Sequence, residues 1–216
     1  MTELPNPLVL IGIMAVMALV PFVAIMVTSF VKFAVVLSLV RNALGVQQVP
    51  PNSALYGLSI ILTLYVMAPI GHEIYQIVKQ TPIELSQTAD FFTKVEQAAE
   101  PLRLFLSKHS DDATREFFTE TTKKIWPEDL AANIDKDSYF VLVPSFTVSE
   151  LTMAFEIGFL LYLPFIAIDL IISNILLAMG MMMVSPMTIS LPFKLFLFVA
   201  VDGWSRLIYG LVLTYQ

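Results

Sequence analysis

Seven ionisable side chains stand in or beside long apolar tracts of this chain: Lys32, Glu150, Glu156, Asp169, Lys194, Asp202 and Arg206. Charges in such places are costly, and they persist where they pair, face water or move ions. Two chemistries suit these types. Acids and bases can close ion pairs between helices or between copies of the chain, or a string of carboxylates can relay protons. Asp202 and Arg206 are at i, i+4, so on one helix they can pair along a single face. Glu150 and Glu156 are six apart, about 120° off one another on a regular helix, and are expected to serve different neighbours. Asp169 lies inside the third apolar tract and is expected to pair with Lys32 or Lys194. The alternative, a proton relay through Asp169 and Glu156, calls for more ionisable groups at the same depth than the tract carries.

A second cluster has no charge. Met179, Met181, Met182, Met183 and Met187 fall within nine residues, beside Gly180 and Pro186. Methionine is unbranched and polarizable, so it fills irregular gaps and lets them re-form. The cluster therefore reads as an apolar surface that opens and closes. The plainer reading is a membrane helix that happens to be rich in methionine.

Other chemistry finds little material. The chain has no cysteine, which excludes disulfides, thiol catalysis and Cys-ligated metals. Its two histidines, His72 and His109, are far apart and read as solvated or interfacial groups rather than metal ligands. The G-x-x-x-x-G-K-[ST], H-E-x-x-H and G-x-S-x-G motifs do not occur. The chain is thus not expected to be an enzyme or to hold a cofactor or metal. A formal net charge of −6 argues against nucleic acid as a partner.

These residues must be positioned by apolar helices. The 216 residues are 57% hydrophobic and only 14% charged, against roughly 25% charged in an average soluble domain. The mean hydropathy is +0.78. Four apolar tracts run from about Leu8 to Val31, Ser53 to Ile70, Ile157 to Val184 and Leu191 to Leu213. A bilayer core takes about 20 apolar residues per helix, so the first two tracts qualify directly and the last two once their charges find partners. Pro21, Pro69, Gly158, Pro164, Gly180, Pro186 and Pro192 interrupt the tracts and predict kinked or broken helices. The N-terminal segment carries no Lys or Arg, so the first tract is expected to be retained rather than cleaved as a signal peptide.

Residues 72–143 differ in composition, with 13 acidic and 8 basic residues. Apolar positions recur there at helical spacing, predicting a small soluble insert of two or three amphipathic helices. Pro82, Pro101, Pro127 and Pro144 are expected at its boundaries or at helix N1 positions. The expected fold is all-α and membrane-type. A first apolar hairpin occupies 1–71, the insert 72–143, and a second hairpin with a Met-rich turn 144–216. The turn from Arg41 to Asn52 carries Arg41, follows Lys32 and lacks acids. Positive-inside logic assigns it to the cytoplasm and the insert to the opposite side.

Three stretches carry a family resemblance. Phe33–Asn52 reads FAVVLSLVRNALGVQQVPPN. Pro144–Leu151 reads PSFTVSEL and is followed by AFEIGF at 154–159. Leu163-Pro164-Phe165 leads to Asp169-Leu170, then GMMMVSPMTISLPFK at 180–194 and Asp202-Gly203-Trp204. In this order they resemble the FliP/SctR family of type III secretion export-apparatus proteins, closer to the injectisome branch than to the flagellar one. Ser145 departs from the family pattern, which often has Ala there, small for small.

The resemblance implies a pore-forming subunit of the export gate that passes unfolded protein substrates across the bacterial inner membrane. It implies a homo-oligomer, a pentamer in the family, packed as a ring of kinked helices. Two smaller export-apparatus membrane subunits and the larger export-gate and needle-base components would be its partners, and its insert would face the periplasm. Met181, Met182 and Met183 match the family's pore gasket. Lys32, Arg41, Glu150, Glu156, Asp169, Lys194, Asp202 and Arg206 become candidates for contacts between subunits. The competing expectation is an ion-coupled transporter or proton channel that uses Asp169 and Glu156.

Overall fold

The structure is a computed structural model that describes residues 7–80 and 88–216. All regular elements among the described residues are helices: α1 (Pro7–Met26), α2 (Phe30–Ala43), α3 (Asn52–Gln80), α4 (Thr88–His109), α5 (Asp112–Ile125), α6 (Glu128–Ala131), α7 (Tyr139–Ala178), α8 (Pro186–Ala200) and α9 (Gly203–Leu213). Two of them, α3 and α7, are each long and apolar enough to cross a membrane. The pair α8–α9 meets that test only when joined, Met17–Met26 of α1 meets it together with α2, and each pair is bent by 61° at its break.

The bend between α1 and α2 falls at Val27–Ser29, inside the tract expected as one helix. It is not at Pro21, which α1 accommodates. A break leaves the last carbonyls of the first helix without ladder partners. One of them is met from α7, where the Thr147 hydroxyl lies 3.2 Å from Met26 O and 2.8 Å from Val143 O. The α8–α9 break falls at Val201–Asp202, where Asp202 is left-handed at φ 53°. The ring of Phe198 lies flush against Gly203 and stands edge-on to Trp204 at 5.3 Å, so no side chain fits at position 203.

Helix α2 is the centre of the molecule. It packs against α3 on one side and α7 on another, and the α2–α7 contact is the most extensive in the chain. Phe33, Val36, Leu37 and Val40 of α2 meet Leu55 and Leu62 of α3, Ala154 and Phe165 of α7, Phe198 of α8, and Leu207 and Leu211 of α9. Close approach of α2 and α7 depends on Gly158. A Cβ there would lie 3.2 Å from Leu39 Cβ and nearer still to its Cδ1.

Helices α4 and α5 are tied to this frame. A second core joins Phe105 and Leu106 of α4 to Val27 and to Leu142 and Phe146 of α7. Tyr139 donates to Ala99 O at 2.8 Å, and Ser149 Oγ accepts from Asp111 N–H at 2.9 Å. Asp111 also caps α5 by accepting from Thr114 N–H at 2.9 Å. Pro127 precedes α6 as expected of a boundary, whereas Pro101 and Pro144 lie inside α4 and α7. Each interior proline removes one ladder hydrogen bond. Pro82 lies outside the described residues. Helices α3 and α7 run unbroken through positions 71/72 and 143/144.

Candidate functional site

The methionine cluster is a turn between α7 and α8. Helix α7 ends in a Schellman motif: Met181 N–H donates to Leu176 O at 2.9 Å and Gly180 N–H to Leu177 O at 3.0 Å. The motif needs a left-handed residue just past the helix end, and Gly180 supplies it at φ 71°. Helix α8 starts with Pro186 in its first turn, where a missing N–H costs nothing. Between these fixed ends, Met181, Met182 and Met183 project into open space, 40%, 82% and 100% exposed.

The base of this hairpin is locked by a charge. Lys194 of α8 is 2.6 Å from Asp169 Oδ2 of α7, and its ammonium also donates to Ala43 O at 3.2 Å. Ala43 ends α2, so the cation sits on the carbonyl end of that helix, where its macrodipole favours positive charge. Ser190 completes the group by donating to Asp169 Oδ1 at 2.5 Å. Three helices are thereby pinned at one point.

A second lock joins α2, α7 and the C-terminal end of the chain. Lys32 Nζ lies 2.8 Å from Glu150 Oε1, and both side chains are essentially fully buried. Tyr215 donates its hydroxyl to Glu150 Oε2. The Lys32 ammonium stands 4.0 Å above the Tyr215 ring and donates to Thr214 Oγ1 at 3.4 Å. His109 of α4 packs edge-on to Tyr215 at 5.1 Å and against Phe105 at 4.7 Å. Burial, with help from the charges of Lys32 and Lys108, lowers the His109 pKa to about 4, so its imidazole is neutral at pH 7.

Asp169 thus pairs with Lys194, one of the two partners expected, and Lys32 pairs with Glu150. Glu150 and Glu156 serve different surroundings, as their spacing requires, since Glu156 is exposed. Asp202 and Arg206 do not pair along one face. The left-handed backbone at Asp202 takes it out of helical register with α9, and its carboxylate accepts from Ser205 Oγ at 3.0 Å instead. Arg41 holds its own turn, donating to Pro50 O at 3.2 Å and Asn52 Oδ1 at 2.6 Å. The charges of Lys32, Glu150 and Lys194 are met inside the chain, which leaves Glu156, Asp202 and Arg206 as the candidates most open to a neighbour.

The sequence reading missed Tyr215, Thr214 and Ser190. One signal existed for Tyr215: a tyrosine closing an apolar helix is a polar tip in need of an acceptor when buried. Among the described residues, no group of three or more His, Cys, Asp or Glu converges as a metal site.

The profile of the FliP family matches residues 13–211. Yop proteins translocation protein R of Yersinia pestis is 56% identical over 215 residues, covering 100% of this chain and 99% of that protein. Virulence protein YscR of Salmonella typhimurium is 50% identical over 213 residues, 98% of each chain. Harpin secretion protein HrcR of Erwinia amylovora is 43% identical over 214 residues, 99% of each.

Proposed function

The chain belongs to the FliP family of type III secretion proteins, and we propose that several copies of it line the pore of the export gate, with Met181, Met182 and Met183 as its gasket. The observation that carries this reading is the methionine turn: three exposed thioethers on a loop whose base is fixed by a helix cap and by the Lys194–Asp169–Ser190 lock. A seal that must close on itself and then fit around a passing chain needs a rigid base and a soft tip. Methionine supplies the softness, and an apolar constriction stops ions by shedding water.

The apolar helices and the family together support a location in the bacterial inner membrane. The acid-free turn carrying Arg41 supports a cytoplasmic side for the 41–52 loop and a periplasmic one for the insert. Residues 1–71 and 144–216 then build the pore and 72–143 the periplasmic collar. The partners are further copies of the chain, five in a ring, two smaller membrane subunits, the larger gate and needle-base components, and unfolded proteins in transit. A proton relay through Asp169 and Glu156 lacks a path, because Lys194 and Ser190 hold Asp169 while Glu156 faces outward from another surface of α7.

The test is ion leakage through the assembled gate after Met181, Met182 and Met183 are replaced together by Ala. Leakage is expected to rise while the complex still assembles. Variants that stay as tight as the parent would remove the gasket role from these residues.

A further inference from the structure

Of the seven charges singled out in the sequence, Lys32, Glu150, Asp169, Lys194 and Asp202 are met by the two locks and the Asp202–Ser205 contact, and two are left. Among the described residues, Glu156 on α7 and Arg206 on α9 have no hydrogen-bond or ion-pair partner. They are opposite in sign and both have apolar neighbours, Glu156 near the middle of α7 and Arg206 in the first turn of α9, and an unpaired charge in apolar surroundings is costly. Lys108 shares a cleft with Glu156 but forms no ion pair with it.

The surroundings of the two are complementary. Glu156 belongs to an exposed stripe of α7 formed by Val148, Leu151, Thr152, Phe155 and Phe159, a shallow apolar groove at helical spacing. Arg206 stands on the wall of an apolar cavity of about 400 Å³, which Leu161 and Phe165 of α7 also line. At 3.6 residues per turn, the exposed stripe and the cavity-lining residues of α7 lie on roughly opposite faces. One copy cannot bring its own stripe to its own cavity, but two copies can.

We propose that neighbouring copies of this chain join head to tail, the Phe155–Phe159 stripe of one covering the α7–α8–α9 cavity of the next, with Glu156 of the first paired to Arg206 of the second. This rests on the reading of the chain as a homo-oligomer. Because the two surfaces differ, the contact is heterologous and repeats from copy to copy until it closes or continues as a helix. Seated against a neighbour, each charge gains its partner in a site from which water is excluded.

The cysteine-free chain makes the test direct. Full-length chains carrying Glu156→Cys or Arg206→Cys, on different tags, are co-expressed with the other export-apparatus membrane subunits and treated with a short bis-maleimide, because the Cα atoms of a Glu–Arg pair stand farther apart than a disulfide can bridge. Native mass spectrometry is run on the same samples. A cross-link between the two kinds of chain is expected, together with a ladder of linked copies when both substitutions are in one chain. Intact homo-oligomers without that cross-link, or with Glu156→Cys chains linked only to each other, overturn the proposed contact and leave the oligomer standing. A chain that stays monomeric overturns the oligomer and the contact together.

Charge reversal gives an independent readout, since like charges face to face across an interface repel. Glu156→Arg and Arg206→Glu should each lower the yield of assembled complex at least about tenfold, and the double reversal should restore most of it. A double reversal no better than either single one would overturn the pairing.

Discussion

Single residues here matter through what they leave behind when removed. Lys32 and Glu150 are buried together, so Lys32→Ala strands a carboxylate in the core. Loss of one partner from such a pair costs roughly 3–5 kcal/mol. The expected result is a sharply lower unfolding temperature of the detergent-solubilised chain. Lys32→Met with Glu150→Leu should recover most of it, short of about 1 kcal/mol for the lost Tyr215 hydrogen bond. If the single variant melts like the parent, the pair does not support the fold. His109 titrates on a different principle. Its folded pKa of about 4 lies below the ordinary 6.5, so between those values the unfolded chain binds the extra proton. Its contribution is complete above pH 6.5 and is lost as pH falls towards 4, by about 1–2 kcal/mol once solvent screening is allowed for. His109→Gln should flatten the stability–pH profile in that window by up to about one proton, and an unchanged slope would refute the assignment. The charge types were legible in the sequence, as was the Asp169–Lys194 option. The Lys32–Glu150 pair was not, because nothing local joins two residues separated by four helices, α3 to α6.

At the scale of elements, the helical nature of the four apolar tracts was legible from composition and period. The breaks were legible only in part: Gly180 and Pro186 do flank the α7–α8 turn, but other breaks fall elsewhere. The bend after α1 falls at Val27–Ser29, where no glycine or proline stands, while Pro144, expected at a boundary, lies within α7. Proline marks where a helix is weakened. Whether it breaks depends on what packs alongside, and Thr147 of α7 is what meets the loose carbonyl at Met26. Gly158 is the converse case, expected as a breaker but functioning as the close-approach point of α2 and α7. Gly158→Ala should push these helices apart and cost about 1–3 kcal/mol, read as a loss of thermal stability and of assembled complex. A neutral effect would mean that Leu39 can move aside freely.

For the whole molecule, the fold class could be read from hydropathy, but the burial could not. Most tracts that look like core in the sequence remain uncovered in one copy. Along α1 every residue from Met17 to Met26 is exposed, and only 11% of the most apolar window of α7 is buried. The length of α7 decides what must cover it. Its 40 residues give a contour of about 60 Å, twice the roughly 30 Å of a bilayer's hydrocarbon core. Matching that core by tilt alone would take about 60°, beyond the 0–40° at which membrane helices stand. A mismatch of that size exceeds what lipid can absorb by thickening. Part of this rod therefore stands beyond the hydrocarbon core, and in the proposed pore the chain is a stave whose bare apolar flank a neighbouring stave would make watertight.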